Sequence, residues 1–225
     1  MANRHPRNAP QHLVQERIKE MIDMRRDEAG VMTWDQLHCL AALHWNGEEV
    51  TVEEMFIIDP EVPPQSFPDL IAKSSTIAVR TQFDLKKKGE APTLCGFALI
   101  HEAFAVQALQ NPTRKERAKF QRDQRERRFH TRPDAEETLM GIAADIDGRL
   151  WLSQCWRSRP DQFDYGFWAD RAADGIGTEG IAGTRMPGGA FADALYKVGQ
   201  VVGVMLYDDP MTPEMVSVLS GQGFN

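Results

Sequence analysis

The stretch LCGFALIHEAFAV, residues 94–106, most constrains what this chain can fold into, because its only polar side chains are His101 and Glu102. An extended segment places successive side chains on opposite faces. A run apolar at both parities therefore needs cover on both sides, as the central strand of a sheet has. Glu102 falls on the face of Ala98, Ile100, Phe104 and Val106. A carboxylate there must find a partner, open onto an edge or ligand cavity, or have its pKa raised. Two readings stay open. One is a structural pair with Arg149 or Arg157; the other is a general acid/base or ligand-binding carboxylate of a small enzyme. His101 points to the opposite face, so the two neighbours cannot pair with each other.

The second strong signal is ETLMGIAADIDGRLWLSQCWR, residues 137–157, where two extended runs flank Asp147-Gly148. That dipeptide favours a two-residue hairpin turn. Such a turn sets Ala144 opposite Trp151 and Ile142 opposite Ser153, and the hairpin joins strand 94–106 in one sheet. Residues 76–85, TIAVRTQFDL, read as a further strand. EVTVEEMFIID reads as a strand in preference to a short helix.

Helical signals lie toward the two ends. Leu13, Val14, Ile18, Met21 and Ile22 recur at helical spacing in a helix over 11–28, with Gly30 as its stop. Thr33 and Gln36 resemble a capping box, which predicts a second helix through DQLHCLAALHW to Asn46-Gly47. PDLIAKS reads as one or two helical turns after a proline-rich loop at 60–68. Phe191, Leu195, Val198, Val202 and Leu206 mark a buried helix over 189–206, and PEMVSVLSG a short last one. DQFDYGFW is an aromatic stretch with no assigned element. The fold class is therefore α+β, an antiparallel sheet flanked by N-terminal and C-terminal helices. Residues 1–10 form a flexible arm, and 11–225 a single domain with a basic insert at 111–133 and a Gly-rich loop at 173–189.

The Gly-rich loop contains Gly175-Ile-Gly-Thr-Glu-Gly180, the spelling of a dinucleotide fingerprint. Such a fingerprint works between a strand and a helix N-terminus that receives the pyrophosphate. Here a polar stretch precedes it, while Gly183 and Pro187 interrupt any helix after it, so a surface loop with no cofactor is expected. No C-x-x-C or H-E-x-x-H is present, and no metal is expected. Cys39, Cys95 and Cys155 are odd in number and widely spaced, which suits free thiols of a reducing cytoplasm. No G-x-S-x-G elbow supports covalent catalysis. No apolar run spans a bilayer, so no membrane partner is expected.

GFALIHEAFAV, with RPDAEETLMGIAADIDG after an insert, resembles a pattern in uncharacterised proteins of actinobacteria and tailed phages. In that family an apolar strand ends in Glu-Ala-Trp, and Pro-Asp-Arg-Glu-Glu precedes the next strand. Glu102-Ala103, Pro133-Asp134 and Glu136-Glu137 match; Phe104 stands for the Trp and Ala135 for the Arg. The resemblance covers about residues 76–157 and implies a sheet-centred fold of mobile-element origin, with no activity attached.

The insert carries the charge argument. Residues 113–132 hold nine Arg or Lys against three acids, a local +6 in a chain of net charge −7, so the remainder carries −13. Thr113 and Glu116 form a capping box, and Arg122–Glu126 and Asp123–Arg127 stand at i,i+4. Segregated charge of this kind creates a positive field on an acidic protein. Arg122, Arg125, Arg127 and Arg128 are the candidate binding residues. A protein partner or self-association is the leading expectation, nucleic acid the alternative, and a solvated insert the plainest reading. The expected function is a phage- or mobile-element-type cytoplasmic binding protein that acts on a protein partner or as a subunit of an assembly, with an enzyme using Glu102 as general acid/base, or nucleic-acid binding through 113–132, as the competing classes.

Overall fold

The computed structural model describes residues 5–59, 62, 66–106, 113–126, 128–168 and 190–207. Its α+β architecture is one six-stranded antiparallel sheet with helices on both faces. The strands are β1 (His38–Trp45), β2 (Val50–Ile58), β3 (Leu94–Val106), β4 (Ala135–Asp145), β5 (Leu150–Trp156) and β6 (Arg159–Trp168). They lie in the order β2-β1-β3-β4-β5-β6, each antiparallel to its neighbours. The helices are α1 (Gln11–Asp23), α2 (Phe67–Lys87), α3 (Arg114–Arg125) and α4 (Ala190–Tyr207).

The apolar run of β3 explains the layering. Phe97 and Leu99 pack with Ile71 and Val79 of α2 and Leu195 and Val202 of α4. Ala98 and Ile100 pack on the other side with Val14, Ile18 and Ile22 of α1. Residues 94–101 are buried without a break, so neither face of this part of the strand meets water. Burial of that many large side chains on two sides is the main stabilising term, at about 1.5–3 kcal/mol for each fully buried one. Glycines permit the closest approaches. A Cβ at Gly141 of β4 would collide with Ile18 Cγ2, so α1 crosses the sheet there. One at Gly199 of α4 would sit 2.6 Å from the carbonyl oxygen of Asp145, where α4 rests on the β4–β5 turn.

Several expectations are corrected. The second helix, over 33–46, is absent: His38–Trp45 is strand β1, paired with both β2 and β3. Leu40 and Ala42 face one core while Ala41 and Leu43 face the other, so every residue of LAAL is used at period 2. The Thr33 hydroxyl, expected as a helix cap, donates instead to the Arg25 carbonyl, whose oxygen also accepts the Thr33 N–H at 2.9 Å. The strand at 76–85 is also absent. PDLIAKS continues through it as the single helix α2, with Phe67, Ile71, Ser75, Ala78, Val79 and Gln82 on its buried side. Three of the four β-branched residues that suggest a strand lie outward: Ile77 is 70% exposed, and the Thr76 and Thr81 hydroxyls donate to carbonyls one turn back.

The 137–157 hairpin forms and pairs with β3, but its register is one residue from the expected one. Ala144 faces Leu150, Ala143 faces Trp151 and Ile142 faces Leu152. The connection is a three-residue loop, Ile146-Asp147-Gly148, with Gly148 in the left-handed region at φ 77. The Asp145 side chain sets this choice. Its Oδ1 accepts the N–H of Asp147 at 3.0 Å and of Arg149 at 2.9 Å, and its Oδ2 takes the Arg149 guanidinium at 2.5 Å. An Asx cap of this kind lengthens the loop and shifts all subsequent pairs. The aromatic stretch after Ser158, with no element assigned from sequence, is edge strand β6.

Of the remaining assignments, helix 11–28 is shortened, the part of the expected flexible arm from residue 5 onward is packed on the body, and the others hold or fall outside the described residues. Helix α1 ends at Asp23, short of Glu28. Strand β2 and helix α4 lie where expected. At the N-terminal arm, Pro6–Asn8 is one 3-10 turn, Pro6 and Ala9 are buried, and Arg7 pairs with Asp147. The Gly-rich segment 173–189 and the short last helix lie outside the described residues. No helix among the described residues is long and apolar enough to cross a membrane.

Gly199→Ala tests the helix-to-turn contact. In an exposed helix this change stabilises by about 1 kcal/mol. Here it forces α4 off the Asp145 carbonyl, and urea unfolding should show a loss of about 1–3 kcal/mol.

Candidate functional site

Glu102 lies on the α1 side of β3, half-buried, past the point where the strand loses cover. Its two carboxylate oxygens accept the backbone N–H groups of Asp35 at 2.9 Å and Gln36 at 3.0 Å. The expected arginine partner is corrected. Arg149 is engaged with Asp145, and Arg157 pairs with Glu137 while its guanidinium lies 5.3 Å from the Trp34 ring centre. Glu102 therefore clamps the segment that leads into β1. That segment needs a clamp, because Asp35 is held at φ 61, a conformation costly for a residue with a side chain. Two charge-assisted bonds from one carboxylate offset that cost.

The clamp also gathers acids. One carboxylate oxygen each from Asp35, Glu102 and Glu137 lie within 4.8 Å of one another. Glu137 stands opposite Phe104 in the register, which places it diagonally to Glu102 on the same face. Arg157 supplies the compensating positive charge, and both oxygens of Glu102 are already hydrogen-bonded. The arrangement is a structural knot at the surface. Sequence reasoning names Glu102 and Arg157 but misses Trp34 and Asp35, since both lie in a segment whose pattern suggests the start of a helix.

On the opposite face of the same strand, His101 is 5% exposed. Its ring stands 5.0 Å from that of Phe191 and 6.2 Å from that of His38. His101 and Glu102 thus act on separate faces, as their alternation requires. Burial pushes the His101 imidazole down to about 4. Burial, with a smaller contribution from Arg25, also lowers His38. Both rings are neutral near pH 7. The sequence pattern puts His38 in a helix, so its place directly beside His101 emerges only from the strand pairing.

The basic insert forms helix α3 with the expected cap. The Thr113 N–H and hydroxyl donate to Glu116 at 2.7 Å, and the Glu116 N–H donates back to the Thr113 hydroxyl at 3.3 Å. From Thr113 to Lys119 every residue is exposed, and Arg122 is exposed as well. Glu126, expected to pair with Arg122, pairs with Arg128 at 3.3 Å, and Asp123 pairs with Arg132 at 2.9 Å; the expected Asp123–Arg127 pair lies outside the described residues. Arg132 also holds Asp134 at 2.6 Å, which ties the end of the insert to the start of β4. Arg128 is exposed; the Arg125 side chain and all of Arg127 lie outside the described residues.

A further feature is an open groove of about 280 Å³ beside the end of α1, lined by Met21, Met24, Leu37, Cys39, Ile57 and Ile100 among others. Arg25, Gln36 and His38 complete its lining, and it carries no carboxylate, so it does not complete a site with Glu102. Comparison with protein families, with curated proteins and with solved structures finds no match to this chain.

The clamp gives two opposed expectations. Glu102→Gln leaves one acceptor where two amides need one each, and should cost about 1–2 kcal/mol in chemical denaturation. Asp35→Gly removes the left-handed strain and should be neutral or stabilising by up to about 1 kcal/mol. A Glu102→Gln variant as stable as the parent would remove the clamp reading.

Proposed function

We propose that this protein acts by binding, and that α3 with its flanks is the surface that meets an acidic protein partner. The observation that carries the reading is the exposure of α3: a capped, basic helix whose charged residues from Arg114 to Arg122 face solvent. Its base is fixed by Arg132 between Asp123 and Asp134, so the helix is presented from a set position. Nine basic groups in residues 113–132, on a chain whose remainder carries −13, favour an acidic surface as partner. The chain's own acidic body is one such surface, so self-association belongs to the same reading. Catalysis through Glu102 has less support, because its carboxylate is engaged by two amides.

The test changes Arg122, Arg125, Arg127 and Arg128 to Gln together. Sedimentation of parent and variant is followed against salt, beside anisotropy with random single-stranded and duplex oligonucleotides. Salt-sensitive self-association in the parent, lost in the variant and without oligonucleotide binding, is the expected outcome. Parental oligonucleotide affinity that falls log-linearly with salt would replace the protein partner by nucleic acid. A parent that neither assembles nor binds would leave α3 as a solvated insert.

A further inference from the structure

Cross-strand neighbours in a sheet lie on one face about 4.5–5.5 Å apart. Ile100 pairs with Cys39 in β1, which sets His38 beside His101, and His101 pairs with Met140 in β4. Three side chains with metal-binding atoms thus form one row, on the face covered by α2 and α4. Aromatic rings close over part of it. Ring centres are 5.2 Å apart for His38–Phe67, 5.0 Å for Phe67–Phe191 and 5.0 Å for Phe191–His101. The fourth side of this box, His38–His101, is wider at 6.2 Å.

The nitrogens of that wide side have no partner. His101 Nδ1 lies 3.2 Å from the main-chain oxygen of Glu102, and since a carbonyl only accepts, Nδ1 carries the proton. Nε2 is then a bare lone pair. It is buried and unbonded, as is Nδ1 of His38. The two rings cannot satisfy each other, because a direct N–H···N bond brings imidazole centres to about 5 Å. Two imidazoles that share one ion through bonds of about 2 Å place their centres roughly 6 Å apart. A backbone carbonyl holding the second ring nitrogen is also how a ligating histidine is commonly oriented.

The donor types decide the ion. Two neutral imidazoles and a thioether bring no negative charge, and the row from Ile58 through His38, His101 and Met140 to Gln154 contains no carboxylate. Glu102 lies on the other face. A divalent ion buried here would lack compensating charge, whereas the cost of burying a monovalent one is much smaller. Thioether sulfur is a soft ligand that selects Cu(I), while a structural zinc site needs four ligands drawn from thiolate, imidazole and carboxylate. We propose that His38, His101 and Met140 form a binding site for one Cu(I) ion beneath Phe67 and Phe191.

The probe is Cu(I) kept reduced with ascorbate under anaerobic conditions and titrated in competition with bicinchoninate. The parent should withhold one equivalent from the chelator, and X-ray absorption should show two nitrogen ligands and one sulfur. His101→Phe, which suits the aromatic box, should abolish that equivalent while far-UV circular dichroism stays unchanged. Met140→Leu keeps the volume and should fold, and should weaken Cu(I) binding about tenfold or more. Cys39→Ser should change nothing, because Cys39 faces the other core. The proposal is overturned if the parent withholds no Cu(I), if the Met140→Leu protein binds as tightly as the parent, or if Zn(II) is held and Cu(I) is not. A parent without copper affinity and a more stable His101→Phe variant would show that only water occupies the box.

Discussion

Two-sided burial of β3 is the constraint on which the rest of the molecule depends. A strand covered on one face needs a single partner layer. Residues 94–101 are buried throughout, so helices must lie on both sides of the sheet. The chain meets this by sending α1 to one face before the first strand and α2 and α4 to the other. The glycines at 141 and 199 let α1 and α4 come close enough to exclude water. The strongest side-chain networks sit where that burial ends: Asp145–Arg149 at the β4–β5 turn and Glu102 with the Asp35 and Gln36 amides at the far end of β3.

The His101-Glu102 dipeptide shows how one strand carries two unrelated chemistries. Alternation sends the imidazole into the apolar layer beneath Phe191 and the carboxylate toward the surface of the α1 side. They remain connected through the backbone, since the Glu102 carbonyl fixes the proton on His101 Nδ1. The clamped segment 35–36 in turn leads directly into His38. The position of one imidazole is thus set by β3, and that of the other by the loop that Glu102 holds.

The acidic body and the basic α3 are separated in the same way. Helix α3 leaves the sheet between β3 and β4 and is tied at its base by Arg132, while its residues from Arg114 to Lys119 are exposed. Because its exposed residues do not help to form the core, their substitution is a clean probe of interaction.

Much of this is legible without coordinates. The α+β class, the central strand 94–106, helices α1 and α4, the hairpin around Asp147-Gly148, the cap at Thr113 and the opposite faces of His101 and Glu102 all come from local periodicity or turn chemistry. Local pattern misassigns the segments whose neighbours decide. HCLAALHW is apolar at both 2.0 and 3.6 residues per turn, and only pairing with β2 and β3 makes it a strand. TIAVRTQFDL has β-branched residues that favour extension, but its apolar side must cover Phe97 and Leu99, and a helix does that. The hairpin register turns on the Asp145 side chain, which selects a three-residue loop over two. The row of His38, His101 and Met140 draws on three strands far apart in the chain, and Glu102 finds amides where an arginine is expected. Sequence determined the elements whose stability is local; tertiary structure decided those whose hydrogen bonds and buried faces are supplied by distant residues.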